Sequence, residues 1–199
     1  MSAALLLVLA YLVGAIPSGL FIGKWLGGVD LREHCSKNIG FTNAVRVLGW
    51  KLGVPVLVID VGKAWSATAL LAGPLGAPGL EWLAGLGVMV GNLFNAFLKF
   101  KGGKGVASGL GVFLALSPLG SLAALLAFLL MLATTRIVSV GSLLAAVVLP
   151  VVHAVAYGPG PSLWIAIAAS LFVIVKHRAN IARLRAGTET RLGKAKPPA

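Results

Sequence analysis

The feature that most limits what this chain can fold into is a series of seven apolar stretches, some of them apolar on every side. Leu122–Leu132 shows neither the polar face of a soluble surface helix nor the alternation of a membrane-barrel strand, so a helix surrounded by lipid fits it best. Crossing the hydrocarbon core takes about 20 apolar residues, or fewer where a helix is partly covered by protein. Ala3–Ile22, Gly53–Gly73, Trp82–Phe97, Gly105–Leu116, Leu119–Thr134, Val138–Tyr157 and Ser162–Val175 are the candidates, the third to fifth being short. With 58% apolar and 11% charged residues and a mean hydropathy of +0.97, a soluble domain of 199 residues could not hide this surface. The expectation is an all-α integral membrane protein of about seven transmembrane helices, a single domain over 1–199 with a short disordered tail at about 194–199.

The charges sort the connections into two kinds. Of seventeen Lys and Arg residues, sixteen lie between alternate pairs of apolar stretches or after the last one. Lys24, Arg32, Lys37, Arg46 and Lys51 separate the first two; Lys99, Lys101 and Lys104 separate the third and fourth; Arg136 separates the fifth and sixth. The connections around Pro74–Glu81, Ser117–Pro118 and Gly158–Pro161 carry none. By the positive-inside rule the N-terminus is outside and the C-terminus cytoplasmic, which requires an odd number of spans and agrees with seven. Met1–Ala10 lacks the basic region of a signal peptide and its apolar run continues to Ile16, so it reads as a retained helix. The single cysteine, Cys35, excludes an internal disulfide.

Much of the +12 net charge follows from topology and anionic headgroups, and Arg185–Lys196 needs no further reading. Three interior clusters carry more. Phe100–Ser108, FKGGKGVAS, combines glycines whose N–H groups can curl toward an anion with Lys104 and a following helix N-terminus. It is either a phosphate cradle or a flexible turn anchored by Lys99 and Lys101, and it lacks the Ser or Thr of a nucleotide-binding P-loop. Ser36–Arg46, SKNIGFTNAVR, gathers Ser36, Asn38, Thr42 and Asn43 beside Arg46: singly these are helix caps, together they suit a phosphorylated polyol. Lys176–Glu189, KHRANIARLRAGTE, places His177 and Asn180 on one helical face with Arg183 close by, so His177 is either an interfacial histidine or one that binds phosphate or moves a proton.

Asp60 and Lys63 lie one turn apart inside the second stretch, either as a structural ion pair or as functional groups. Gly19–Gly23, Gly87–Gly91 and Gly105–Gly109 have the spacing of close helix packing, and His153 reads as structural. The five carboxylates and three histidines show no metal-site spacing, and neither a His-x4-Asp pair nor a Gly-x-Ser-x-Gly elbow is present. No metal, cofactor or nucleic acid is expected.

The three clusters together resemble the motifs of the bacterial acyl-phosphate:glycerol-3-phosphate acyltransferase family, the PlsY type. Ser36, Asn38, Gly40, Thr42, Asn43 and Arg46 match the first motif; Gly91, Phe94, Phe97, Leu98, Phe100 and Gly102 to Ala107 the second; His177, Asn180, Ile181, Arg183, Leu184, Gly187 and Glu189 the third. The resemblance runs from about Tyr11 to Glu189 and implies a seven-helix fold in the bacterial inner membrane with motifs facing the cytoplasm. It further implies transfer of an acyl group from acyl phosphate to glycerol 3-phosphate, giving 1-acyl-glycerol 3-phosphate and phosphate.

On that basis Ser36, Asn38, Thr42, Asn43 and His177 are the expected catalytic residues. Arg46, Gly102, Gly103, Lys104, Gly105, Ser142, Asn180 and Arg183 are expected to bind phosphate, with Asp60, Lys63 and Glu189 in support. Glycerol 3-phosphate, acyl phosphate and membrane lipids are the expected partners; the oligomeric state stays open, a monomer being sufficient. Four positions depart from the family pattern in a way that matters. Cys35 and Lys37 stand where glycine is usual, and Asn92 and Asn95 replace a His and a Pro, which points to a non-catalytic role for position 92. Phe41 also replaces a small residue. The competing readings are a transporter of anionic solutes and a non-catalytic binder of anionic lipid.

Overall fold

The computed structural model describes residues 1–73 and 78–192, and every regular element among them is helical. The expected disordered tail at 194–199 and part of the Pro74–Glu81 connection lie outside the described residues. The chain divides into two compact units, Met1–Leu116 and Ser117–Ala199.

In the first unit α1 (Ala3–Ala15) is capped by Ser2, whose side chain accepts the Leu5 N–H, and it stops before Pro17. Proline has no N–H and its ring clashes with a continuing helix, so the chain restarts as α2 (Ser18–Phe21) and runs through a π-helical turn, Ile22–Leu26. The first apolar stretch is therefore a broken helix rather than one straight span. Next come α3 (Phe41–Leu48) and α4 (Trp50–Ser66), hinged at Gly49 with φ 78°, and α4 extends through a π-helical segment, Ala67–Leu71. Then α5 (Glu81–Leu93) leads through a 3-10 turn, Ala96–Leu98, to α6 (Val106–Leu116). Here α1 packs on α5, α4 on α6, and α3 on α4.

Glycine permits the closest of these contacts. A Cβ on Gly87 would lie 2.8 Å from the Leu7 carbonyl oxygen, and one on Gly14 would lie 2.7 Å from the Val88 Cα, so α1 and α5 meet backbone to backbone. The Gly87–Gly91 spacing does mark packing. The Gly105–Gly109 pair does not: a Cβ on Gly109 would make only ordinary contact with Met89, and Gly105 is required because its φ is 81°.

The break at Pro17 leaves carbonyls at the end of α1 without helical donors, and side chains from later segments reach Ala15 and Ile16. Lys63 Nζ donates to the Ile16 carbonyl at 2.5 Å and pairs with Asp60 Oδ1 at 2.7 Å, while the Ser18 hydroxyl donates to the same carboxylate oxygen at 2.7 Å. Asp60 and Lys63 form an ion pair that staples α4 to the α1–α2 break.

The second unit contains α7 (Pro118–Thr135), α8 (Val138–Tyr157), α9 (Pro161–Lys176) and α10 (Arg178–Arg185), with α8 packed between α7 and α9. Proline opens both α7 and α9, where its missing N–H costs nothing. His153 is buried, with its Nε2 3.1 Å from the Ser162 hydroxyl and its ring stacked on Tyr157, in keeping with a structural role. The axes of α9 and α10 diverge by 54° at His177.

All seven apolar stretches are helical. Five helical segments are long and apolar enough to cross a membrane, α9 with the bent α10 makes a sixth candidate, and α6 is shorter. Leu126, Leu130, Val151 and Val155 point outward, Val155 at 86% exposure, an arrangement that lipid rather than water tolerates.

Candidate active site

The first cluster is a loop wrapped around one side chain. Asn43 is buried at the start of α3, and its amide nitrogen donates to the carbonyls of Leu31, His34 and Asn38 at 2.9, 3.2 and 2.7 Å. Its amide oxygen accepts the Ser36 N–H at 3.1 Å. Asn43 thus organises the loop that presents Ser36, and the Asn38 side chain closes a tight turn by accepting the Gly40 N–H at 2.8 Å. Thr42 and Arg46 are half-buried on α3, and Ser36 is exposed.

Two residues of this loop, Cys35 (φ 50°) and Lys37 (φ 55°), lie in the left-handed region, at the two positions where the family pattern has glycine. A Cβ there costs about 1–2 kcal/mol per residue. Upstream, Asp30 accepts both Arg32 Nε and Nη2, the latter at 2.6 Å, and pairs with Lys24 at 3.3 Å. The Arg32 hydrogen bonds hold its carboxyl well below the usual carboxylate range against the opposing effect of burial. Lys24 and Arg32 therefore share one carboxylate, whereas Lys37 and Arg46 form no ion pair among the described residues.

The glycine-rich cluster runs back against the end of α5. The Gly103 N–H donates to the Asn92 carbonyl at 3.0 Å, and a Cβ on Gly102 would fall 2.7 Å from the Leu93 carbonyl oxygen. Two residues before Gly102, Lys99 (φ 52°) and Phe100 (φ 61°) are left-handed, which turns the chain sharply toward α6. Because the Gly103 N–H is engaged, an anion here would rely on the half-buried Lys104 and the remaining amides. Asn95 donates to the Ala15 carbonyl at 2.6 Å, a tie to α1 that proline could not make. The Asn92 side chain packs against Gly103, and its buried Oδ1 has no hydrogen-bond partner among the described residues. Position 92 thus shapes the loop.

In the second unit Glu189 is the hub. Its carboxylate accepts Asn180 Nδ2 at 2.6 Å, Arg183 Nε at 2.6 Å and the Ser139 hydroxyl at 3.0 Å, and its side chain is only 3% exposed. Burial pushes its pKa up, but the hydrogen bonds from Asn180, Arg183 and Ser139 outweigh that and leave it below the ordinary value. A second backbone tie, from Leu192 N–H to the Arg136 carbonyl at 2.7 Å, holds the same segment to the α7–α8 turn. His177 sits buried at the α9–α10 bend with Nδ1 2.7 Å from the Val173 carbonyl. That contact requires the hydrogen on Nδ1, which leaves Nε2 the basic nitrogen of the neutral ring.

The structure therefore brings Ser36, Asn38, Thr42, Asn43 and Arg46 onto one loop and helix, Gly102 to Gly105 with Lys104 onto a second turn of the same unit, and, in the other unit, Asn180 and Arg183 onto the Glu189 carboxylate, with His177 at the bend before them. Ser142 is buried and its hydroxyl donates to its own helix at Val138, 3.0 Å away. Ser139, one turn earlier, is the serine joined to Glu189. The sequence reading named Ser142 and passed over Ser139, because hydropathy does not rank two buried serines on one helix.

The fold defines an all-helical integral membrane protein with its polar clusters gathered at helix ends and turns. Residues 4–187 match the family model described as glycerol-3-phosphate acyltransferase, and the chain belongs to that family. A glycerol-3-phosphate acyltransferase of Trichlorobacter lovleyi is 47% identical over 185 residues, covering 92% of this chain and 93% of that one. The Geobacter sulfurreducens glycerol-3-phosphate acyltransferase is 47% identical over 193 residues, covering 94% and 96%. Two crystal structures of PlsY (YgiH), an integral membrane glycerol 3-phosphate acyltransferase, share the fold. Its glycerol 3-phosphate form superposes with a TM-score of 0.90 at 39% identity, and its lysophosphatidic acid form with 0.87 at 37%; each alignment covers 97% of this chain and 96% of that one.

Proposed function

We propose that this protein transfers a fatty acyl group from acyl phosphate to the 1-hydroxyl of glycerol 3-phosphate, yielding 1-acyl-glycerol 3-phosphate and inorganic phosphate for phospholipid synthesis. The observation that carries this reading is a family match along residues 4–187, the span that holds the Ser/Asn/Thr and Gly-Lys clusters and the His177–Arg183 face.

In the reaction the glycerol hydroxyl oxygen bonds to the acyl carbonyl carbon, the bond from that carbon to the phosphate oxygen breaks, and phosphate departs with the electron pair. The hydroxyl proton passes to His177 Nε2 or to a phosphate oxygen of a substrate. An acyl phosphate is already activated, so holding the hydroxyl against the carbonyl supplies much of the acceleration through proximity and fixed dipoles. Arg46, Lys104 and the amides of Gly102 and Gly105 bind phosphate, with Gly103 holding the loop. Asn180 and Arg183, oriented by Glu189, also bind phosphate, and Ser142 is assigned a further hydroxyl contact. Ser36, Asn38 and Thr42 orient the acceptor on the loop that Asn43 organises, while Asp60 and Lys63 support the scaffold.

The chain works as one acyltransferase domain in the bacterial inner membrane, N-terminus outside and C-terminus cytoplasmic, with the reaction at the cytoplasmic face. It needs no metal, cofactor or nucleic acid, and a monomer suffices. Detergent-solubilised protein supplied with acyl phosphate and labelled glycerol 3-phosphate should form labelled lysophosphatidic acid. Absence of product, together with flux of glycerol 3-phosphate into sealed vesicles, would replace this reading with transport.

A further inference from the structure

We propose that Lys37 is an additional determinant of affinity for the soluble anionic acceptor. The inference rests on the acyltransferase reading above. Position 37 has φ 55°, a conformation that glycine adopts freely and lysine only under strain. The strained residue stands between Ser36 and Asn38, its backbone locked by donation of its N–H to the His34 carbonyl at 2.9 Å.

Of the five basic residues between the first two apolar stretches, Lys24 and Arg32 are occupied by Asp30. Lys37 is not: it is exposed and forms no ion pair among the described residues, and Glu33, the nearest carboxylate along the chain, forms none either. An ammonium group on a flexible stem beside two hydrogen-bonding side chains attracts a small dianion arriving from water. Acyl phosphate is held by its hydrocarbon chain in the bilayer and depends less on such a charge, so the effect falls on glycerol 3-phosphate.

The neighbouring Cys35 provides the control, because it shares the left-handed backbone and the exposure but carries no charge. Lys37→Gly and Cys35→Gly relieve the same backbone strain and add the same unfolded-state freedom, so they should shift Tm alike. In neutral, non-ionic detergent, Lys37→Gly should raise KM for glycerol 3-phosphate about threefold to tenfold with kcat kept, and flatten the dependence of kcat/KM on salt. KM for acyl phosphate should stay within about twofold, Lys37→Arg should retain wild-type KM, and Cys35→Gly should leave all kinetics unchanged.

An unchanged KM in Lys37→Gly with an active wild-type enzyme overturns the inference while leaving the acyltransferase reading standing. So does an effect seen only in vesicles of anionic lipid, which would make Lys37 a headgroup contact. An inactive wild-type protein overturns the acyltransferase reading and, with it, this one.

Discussion

Replacing Lys63 by methionine removes one charge from a place where two were balanced. Asp60 and Lys63 side chains are 10% and 8% exposed, so among the described residues the carboxylate left behind keeps only the Ser18 hydroxyl at 2.7 Å, and the Ile16 carbonyl loses Lys63 while keeping the Ser18 N–H at 3.1 Å. Removing one partner of a buried pair costs about 3–5 kcal/mol. Taking about 4 kcal/mol in all, with about 2–4 °C per kcal/mol for a chain of this size, Tm should fall by about 8–16 °C. The double variant Asp60→Asn/Lys63→Met no longer buries a lone charge and should recover at least about 2 kcal/mol of that loss, leaving the cost of the lost Lys63–Ile16 hydrogen bond. Thermal unfolding of the purified protein in detergent reads all four corners of the cycle, with initial rates of lysophosphatidic acid formation measured well below each Tm. A Lys63→Met protein that melts within 2 °C of wild type, or a double variant no more stable than the single one, would refute the staple. Loss of activity at unchanged Tm would assign the pair to chemistry instead.

Three further outcomes follow from the clusters. Glu189 has a folded pKa below its ordinary value of 4.5, so its stabilising contribution is complete above that value and is lost as pH falls through the folded value; Tm of Glu189→Gln should therefore start lower at pH 7 and change less than wild type between pH 6 and pH 3. Lys104→Ala and Arg46→Ala should each lower kcat/KM for glycerol 3-phosphate at least about tenfold, as expected for a lost charge-assisted phosphate contact, and wild-type values would remove that residue from the site. For His177→Ala, the acidic limb of the kcat/KM pH profile should disappear; a profile of unchanged shape assigns proton removal to a substrate phosphate.

Apolar stretches, Pro and Gly positions and basic connections were legible in the chain because the membrane acts on each segment locally: a helix apolar on all sides needs no partner to be recognised. The break at Pro17 was legible in principle, since proline ends a helix wherever it stands, yet hydropathy alone carried the first stretch across it. The glycine pair at Gly87 and Gly91 announced packing, whereas Gly105 has the same spacing for another reason, its positive φ. Hydrogen-bond partners were not legible. Asn43 looked like one more polar side chain beside the acceptor, and only the folded loop shows its amide directed to three carbonyls.

By itself the sequence determined an all-helical membrane protein, the distribution of its basic residues and the family motifs that mark its chemistry, because hydropathy, charge and motif spacing are properties of contiguous residues. Tertiary structure alone decided that Asp60 and Lys63 cover a helix break, that Ser139 rather than Ser142 joins Glu189, that His177 carries its basic lone pair on Nε2, and that Lys37 is held in a conformation suited to glycine. Each of these depends on which donor meets which acceptor, and residues up to 50 positions apart meet only after the helices have packed.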